Sequence, residues 1–222
     1  MDGFKCISDS IKGTEREENK DRIFVAQQDG SLIAILFDGI SSAEGANAGI
    51  DVAIEFVKTN YQRIRLTTGG YGLADLMFDV HRKIVESPIS SPFSTYSAVY
   101  IPQGDTAAVF SNLGDSRIYE VTSQYIKQLS HDDNLVHNRS VVTRYLGMVN
   151  LERSRVIDFP LDIKDKRILL CSDGFYSILE QNLSRFHEVL NFRRPSDIEK
   201  ALSQEIRSKN IDDSSYILIF NE

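Results

Sequence analysis

The stretch Arg167-Ile168-Leu169-Leu170-Cys171-Ser172-Asp173-Gly174-Phe175 organises the interpretation of the whole chain. Its four apolar residues, 168–171, predict a buried strand, and the Ser-Asp-Gly that follows predicts a sharp turn with a carboxylate at the strand end. The earlier stretch Ile35-Leu36-Phe37-Asp38-Gly39 has the same pattern. Two buried strands that each bring an aspartate to one rim predict a metal site between them.

Size and composition favour a single domain, 1–222. The chain has 222 residues, of which 41% are hydrophobic and 26% charged, and no linker-like tract interrupts it. A formal net charge of -7 argues against binding of nucleic acid, which normally requires a clustered basic face. The first residues lack the apolar segment of a secretory signal, and the apolar runs are too short to cross a bilayer. We therefore expect a cytoplasmic protein that does not bind membranes.

Two isolated side chains, Cys171 and His81, have simple interpretations. The chain has only two cysteines, Cys6 and Cys171, and Cys171 lies within the predicted strand. We interpret Cys171 as a buried, reduced thiol. His81 lies on the flank of a predicted helix and is expected to be solvated.

A β-hairpin is predicted around Asp29-Gly30, a dipeptide that favours a tight turn between two strands. The flanking strands are predicted at Arg22–Gln27 and Ser31–Phe37. In an antiparallel hairpin, the point where the first strand begins and the point where the second ends lie at the same edge. The pattern therefore predicts that Asp21 lies near Asp38.

The remaining elements alternate between groups of strands and groups of helices. Helices are predicted at 41–65, 73–85, 178–189 and 196–208, with Ser41 or Ser42 and Ser196 as caps and a possible short helix at 141–145. Further strands are predicted at 4–8, 96–101, 107–112, 116–121, 126–129, 155–159, 167–171 and 216–220. This order indicates an α+β fold. We expect a four-layer α-β-β-α sandwich, with two mainly antiparallel sheets flanked by helix pairs.

Five aspartates lie at or beside predicted strand ends: Asp21, Asp38, Asp115, Asp173 and Asp212. Taken singly, each has a simpler explanation as a turn residue. Their recurrence, without an accompanying histidine and cysteine set, indicates Mg²⁺ or Mn²⁺, which prefer oxygen ligands. Two such ions can share a carboxylate and activate a water for phosphoryl displacement. Arg16, on the same loop as Asp21, is a candidate phosphate ligand because guanidinium donors pair with phosphate oxygens.

Seven short motifs in order also carry a family resemblance. They are Arg16-x-x-Asn19-x-Asp21, Phe37-Asp38-Gly39, Gly114-Asp115-Ser116-Arg117-Ile118-Tyr119, Gln128-Leu129-Ser130-x-Asp132, Thr143-Arg144-x-Leu146-Gly147, Leu170-Cys171-Ser172-Asp173-Gly174 and Asp212-x-x-Ser215. The series resembles the metal-dependent serine/threonine protein phosphatases of the 2C type, in their compact bacterial form. The resemblance extends from about Arg16 to Phe220.

The resemblance implies a phosphatase with two Mn²⁺ or Mg²⁺ ions. Asp38 would bridge the two ions, and Asp21 would lie beside it, holding metal-bound water or a metal. The carbonyl of Gly39 would bind one ion, and Asp173 with Asp212 would bind the other. The nucleophile would be a water that bridges the metals.

The resemblance also implies how the substrate is held. Arg16 would bind the phosphate of a phosphorylated protein, so Arg16, Asp21 and Asp38 are the expected catalytic residues. Asp115 matches a residue that helps to bind a third, weaker metal, but Ser177 replaces an aspartate of that site, so the third ion is expected to be weak or absent. We expect a monomer that counteracts a serine/threonine kinase.

Several departures from the family pattern leave an alternative open. Lys20 replaces a common acidic residue and could perturb the metal shell, 40–42 replaces a Gly-rich stretch, and Asp213 replaces an asparagine. The flap, at about 130–150, is shorter than usual. These features are compatible with a pseudophosphatase that acts as a binding or regulatory module. A phosphatase that switches one dedicated partner is a third possibility, which no residue singles out.

Overall fold

The structure is a computed structural model that describes residues 4–104, 107–207 and 209–221, without the side chains of residues 107 and 139. The described residues form twelve strands and five α-helices. In chain order the elements are β1 (Lys5–Ile11), β2 (Asp21–Gln28), β3 (Ser31–Gly39), α1 (Ala46–Asn60), α2 (Leu73–Val85), β4 (Ser94–Ile101), β5 (Ala107–Leu113), β6 (Arg117–Val121), β7 (Ile126–Gln128), β8 (Asn134–Leu135), β9 (Asn138–Val142), β10 (Phe159–Asp162), β11 (Arg167–Cys171), α3 (Asp173–Gln181), α4 (Leu183–Leu190), α5 (Pro195–Arg207) and β12 (Ser214–Phe220). Two 3-10 turns lie at Tyr61–Arg63 and Arg153–Arg155.

Two five-stranded antiparallel sheets contain ten of these strands. The first sheet has the order β1-β12-β11-β6-β7, and the second has the order β10-β5-β4-β3-β2. β8 and β9 form a separate two-stranded hairpin. The apolar stretch Arg167–Cys171 forms β11, which pairs with β12 on one side and with β6 on the other. Its aspartate therefore leaves the middle of the first sheet.

Successive side chains of β3 point to opposite faces of the sheet, which explains why residues 32–37 are all apolar. Leu32, Ala34 and Leu36 face a cluster made only of strand and loop residues between the two sheets. The intervening residues 33, 35 and 37 face a cluster shared with α1 and α2. Because both faces of the sheet are covered, both sets of side chains are apolar. Each fully buried leucine or isoleucine contributes about 1.5–3 kcal/mol.

A third cluster joins the first sheet to α3, α4 and α5. The order of layers is therefore helices, sheet, sheet, helices, which confirms the predicted four-layer α+β sandwich. The prediction of a helix pair on each side is wrong on the C-terminal side, where three helices lie. Asn182 interrupts the predicted helix 178–189, and its side chain accepts a hydrogen bond from the backbone N–H of Arg185 to begin α4. None of the described helices is long and apolar enough to cross a membrane.

Both predicted helix caps are wrong. α1 begins at Ala46, not at Ser41 or Ser42, because the ammonium of Lys20 binds the carbonyls of Ser41 and Ala43 and holds this segment as a loop. α5 begins at Pro195 rather than after Ser196. The carbonyl of Arg194 accepts the first backbone hydrogen bonds there, and proline suits the first helical position because it has no N–H to satisfy.

Two predictions in the middle of the chain are also wrong. The segment 141–145 is not helical, since its first two residues are valines that belong to β9. The strand predicted at 155–159 begins only at Phe159 and runs through Pro160. Proline is tolerated there because β10 is an edge strand that pairs only with β5.

Candidate active site

The β2–β3 hairpin brings Asp21 and Asp38 together, as the turn at Asp29-Gly30 predicts. The two residues are directly opposed in the antiparallel register. The Asp21 residue is 2% exposed, whereas Asp38 is half-buried. The backbone N–H of Gly39 donates to the carbonyl of Lys20 at 3.1 Å and extends the pairing to the sheet edge. The second sheet thus supplies two adjacent carboxylates.

The first sheet supplies two more. Asp173 begins α3 directly after β11, and Asp212 lies just before β12. Ser172 ties these strand ends together, because its N–H donates to the carbonyl of Ser215 at 3.1 Å and its hydroxyl accepts from the Ser215 N–H at 2.9 Å. The aspartates of two separate chain segments therefore share one rim.

The two rims enclose a cavity of about 370 Å³. Its lining residues are Arg16, Asp38, Gly39, Ile40, Ser41, Ser42, Thr95, Asp115, Ser140, Val142, Asp173, Asp212 and Asp213. Six of the seven residues predicted from the sequence line the cavity. The seventh, Asp21, is buried beside it across the strand pair from Asp38. The structure thus brings the whole predicted set into one region.

These carboxylates lie where their charges are poorly solvated. Burial raises the pKa of Asp21 to about 7, with a further rise from Asp213 and Asp212 that the hydroxyls of Ser215 and Ser172 oppose. Burial raises the pKa of Asp38 well above its ordinary value, and the charge of Asp21 adds to this rise. The cluster therefore favours a bound positive charge, either protons or cations.

The pKa values of Asp173 and Asp115, which also line the cavity, are raised as well. Burial raises the pKa of Asp173 to about 7, and the neighbouring Asp212 adds to the rise. Burial also raises the pKa of Asp115, although a hydrogen bond from Asn134 to Asp115 opposes it. Four carboxylates with raised pKa values around one cavity mark a candidate functional site.

Arg16 supplies the positive charge closest to Asp212. Its Nε donates to Oδ1 of Asp212 at 2.5 Å, and a second guanidinium nitrogen pairs with Oδ2. Both carboxylate oxygens of Asp212 are therefore engaged. The guanidinium is about one-third exposed and lies at the cavity wall, where an incoming anion could reach it.

The donor set fits a hard divalent cation in its chemistry. Among the described residues, no three histidine, cysteine, aspartate or glutamate side chains are arranged to hold a metal ion. Oδ2 of Asp21, however, is buried without a hydrogen-bond partner. Such an oxygen costs free energy unless a cation or donor satisfies it. Carboxylates and the Gly39 carbonyl are ligands that Mg²⁺ and Mn²⁺ accept.

Two departures from the family pattern have clear structural roles. The ammonium of Lys20 donates to the carbonyls of Ser41 and Ala43 at 2.9 and 3.0 Å. Asp213 accepts the backbone N–H of Gly13 and that of Lys20, each at 2.8 Å, through different oxygens. A carboxylate suits two donors at once, whereas an asparagine offers only one oxygen. These residues therefore shape the loops that border the cavity.

Several residues around the cavity were not predicted from the sequence. Thr95 lies directly opposite Asp38 in the β3–β4 register, and Ser140 and Val142 reach the cavity from β9. A register argument could have found Thr95. It could not have found the β9 residues, because the position of β9 is set by contacts outside the two sheets.

The expectation that His81 is solvated is wrong. The His81 residue is 4% exposed, and its Nδ1 accepts the backbone N–H of Gly147 at 3.3 Å.

The family model and the curated relatives that match this chain are all protein phosphatases. The family model described as Protein phosphatase 2C matches residues 13–207. The serine/threonine phosphatase stp of Listeria monocytogenes is 23% identical over 210 residues, which cover 82% of this chain and 81% of that protein.

Solved structures share the fold over nearly the full length. The serine/threonine phosphatase of S. agalactiae superposes with a TM-score of 0.82 at 18% identity, covering 99% of this chain and 100% of that one. The catalytic domain of the phosphatase PstP, solved with two manganese ions, gives a TM-score of 0.77 at 16% identity and covers 98% and 97% of the two chains. The family match spans most of the sequence, and the chain therefore belongs to the protein phosphatase 2C family, as its motifs predict.

Proposed function

We propose that the chain is a metal-dependent phosphoprotein phosphatase that hydrolyses phosphoserine and phosphothreonine. The observation that carries this proposal is the cavity of about 370 Å³, in which carboxylates with raised pKa values face one another beside an arginine. Such a cavity can hold divalent cations and, through them, a phosphate. The family membership and the curated relatives support the same enzyme class.

The carboxylates would hold the ions from two sides. Asp38, Asp21 and the carbonyl of Gly39 would bind from the hairpin, and Asp173 with Asp212 would bind from the first sheet. Two ions, Mn²⁺ or Mg²⁺, would neutralise phosphate charge when bound and supply an activated water as the nucleophile. The solved PstP domain with two manganese ions supports this number. In this chain, strand pairing fixes the backbones of Asp21 and Asp38, so these two aspartates would hold the ions at one end of the hairpin.

Arg16 would hold the substrate phosphate through its forked N–H donors. Its present partner is Asp212, so binding of a cation at Asp212 would release the guanidinium for the phosphate. Asp115 would contribute to a weaker third site. The hydroxyl of Ser177 donates to the Asp173 carbonyl at 2.7 Å, which supports the expectation that Ser177 contributes little to that site.

The hairpin β8–β9 would be the shortened flap of the domain. It supplies Ser140 and Val142 to the cavity wall, so a bound phosphoprotein would contact it. The partners that follow from this activity are a phosphorylated protein and the serine/threonine kinase that modifies it. We propose that the chain acts as a monomer in signalling.

One observation favours the pseudophosphatase alternative. Arg16 engages both oxygens of Asp212, which is one of the proposed metal ligands. If this ion pair persisted in the presence of metal, the cavity would lack one ligand and the chain would be a binding module.

Hydrolysis of a phosphothreonine peptide separates the two functions. We expect turnover with Mn²⁺, none after chelation, and loss of turnover in Asp173→Asn. The matched control is Asp51→Asn, which removes an exposed carboxylate on α1. Absence of hydrolysis by the folded wild-type protein with both Mn²⁺ and Mg²⁺ would contradict the proposed enzyme and favour the binding module.

A further inference from the structure

Asp133 is a buried carboxylate that the proposed mechanism does not use. It is 7% exposed although it lies outside the two main sheets, directly before β8. Its only described charged contact is an ion pair with Arg144, whose side chain is 39% exposed. A buried charge is retained only when its surroundings satisfy it, so the contacts of Asp133 indicate what it holds together.

Asp133 first holds the residue next to Asp115. Its backbone N–H donates to the carbonyl of Gly114 at 2.9 Å, and its Oδ2 accepts the Gly114 N–H at 3.0 Å. Gly114 has a φ of +99°, and a Cβ there would lie 2.4 Å from the side chain of Thr95. Both polar backbone groups of this special turn are therefore fixed by Asp133.

Asp133 also holds the far end of the hairpin β8–β9. Its carbonyl accepts the N–H of Thr143 at 2.6 Å and the Thr143 hydroxyl at 2.7 Å. Its Oδ1 accepts from the guanidinium of Arg144. Thr143 and Arg144 directly follow β9, and Asp133 itself precedes β8, so one residue closes the base of the hairpin.

The two sets of contacts meet at the cavity. The side chain of Asn134, next to Asp133, donates to Oδ2 of Asp115 at 3.2 Å. Asp115 lines one part of the cavity, and Ser140 and Val142 of β9 line another. A shift of Asp133 would therefore move both parts of the wall.

We propose that Asp133 is a positioning residue that joins the Gly114-Asp115 turn and the hairpin β8–β9 into one rigid wall of the cavity. This inference rests on the proposed function, since it concerns the same site. The donors that meet its carboxylate are the Gly114 N–H and the Arg144 guanidinium. A carboxylate accepts from both, whereas an asparagine would place an NH₂ group against one of them.

Hydrogen exchange of the metal-free protein tests the proposal, with Asp133→Asn as the first variant. We expect exchange of the Gly114 amide and of the β9 amides to accelerate by at least about tenfold. The control is Asp51→Asn, which removes an exposed carboxylate on α1, far from these contacts in the sequence. The control is expected to leave both sets of amides protected.

Arg144→Gln provides a second variant that keeps both bonds between Asp133 and Gly114. We expect faster exchange in β9 only, with the Gly114 amide still protected. This variant also tests the proposal if Asp133→Asn does not fold. Wild-type exchange in the hairpin of Arg144→Gln, or equal acceleration in the control Asp51→Asn, would overturn the proposal.

Kinetics of the metal-loaded protein give an independent readout. In Asp133→Asn we expect KM for a phosphopeptide to rise more than KM for para-nitrophenyl phosphate, because only the peptide is long enough to contact the hairpin. Equal changes in the two KM values would overturn the assignment to the hairpin. The exchange experiment requires no catalysis, so an inactive wild-type protein would contradict the proposed function and leave the test of Asp133 intact.

Discussion

The protein contains two clusters of charged side chains that are built in opposite ways. In the first, Arg117 is 4% exposed and is surrounded by acceptors. Its Nε donates to both oxygens of Asp132 at 2.9 and 3.1 Å, and Nη1 contacts the hydroxyl of Tyr119 at 2.9 Å and the carboxylate of Glu180. The guanidinium also lies 3.6 Å from the ring centre of Tyr176. This buried cation is fully compensated.

The cavity cluster lacks such compensation. The guanidinium of Arg16 pairs with Asp212, while Asp38, Asp115 and Asp173 line the cavity and Asp21 is buried beside them. Their pKa values rise because burial, together with repulsion from neighbouring carboxylates, disfavours the charged forms. The comparison indicates that the Arg117 cluster stabilises the fold, whereas the cavity cluster lowers its stability, as expected of the proposed cation site.

The largest expected effect is on catalysis. Asp38→Asn removes the carboxylate proposed to contact both ions, so kcat/KM for a phosphothreonine peptide should fall by at least about a thousandfold, or about 4 kcal/mol. Steady-state kinetics in Mn²⁺ measure this loss. Asp51→Asn, on the outer face of α1, should retain wild-type activity, and equal activity of the two variants would contradict the role of the cavity.

The next effect should fall on stability. Arg117→Met leaves Asp132 and Tyr119 without their partner and should lower the free energy of unfolding by about 3 kcal/mol. Urea denaturation measures the change. The control is Arg82→Met, since the Arg82 side chain is 62% exposed and lies 3.7 Å from Asp79; there we expect a loss below about 1 kcal/mol. Similar losses in both variants would remove the distinction between buried and surface pairs.

The same Asp38→Asn variant should differ from Arg117→Met in the sign of its effect on stability. In the metal-free protein, Asp38→Asn removes the repulsion between the carboxylates of Asp38 and Asp21. The substitution should therefore raise the free energy of unfolding by about 0.5–2 kcal/mol. Urea denaturation in a chelating buffer is the measurement. Destabilisation of the metal-free protein would show that the cavity carboxylates support the fold as the Arg117 cluster does.

The smallest effect concerns a single buried neutral group. Burial lowers the pKa of His81, so the folded state favours the neutral imidazole that accepts the Gly147 N–H. The unfolded chain then binds more protons, and stability is full above the unfolded pKa of about 6.5 and is lost as pH falls below it. His81→Asn, which keeps an acceptor at the δ position, should be less sensitive between pH 7 and 5. Parallel denaturation midpoints for the two proteins across this range would contradict the assignment.

Features that depend on a local pattern could be predicted from the sequence. The opposition of Asp21 and Asp38 follows from the Asp-Gly turn and from the two-residue period of the strands. The position of Asp173 follows from the apolar strand that precedes it. The four layers follow from strands that are apolar on both faces and from helices with one apolar face.

Features set by one distant polar contact could not be predicted. Asp213 accepts the N–H of Gly13 from 200 residues away, and Asp133 joins Gly114 to Arg144 across two loops. Neither contact leaves a periodic signal in the sequence. The contacts of Lys20 could not be predicted for the same reason, since its carbonyl partners lie in a loop that the sequence predicts to be helical.

A calorimetric titration with Mn²⁺ tests the central claim most directly, namely that the uncompensated carboxylates form a cation site. We predict that the metal-free wild-type protein binds two strong ions and that Asp38→Asn and Asp173→Asn each lose at least one of them, whereas Asp51→Asn binds as the wild type does. Absence of binding by the wild-type protein, or the same number of ions in all four proteins, would contradict the account.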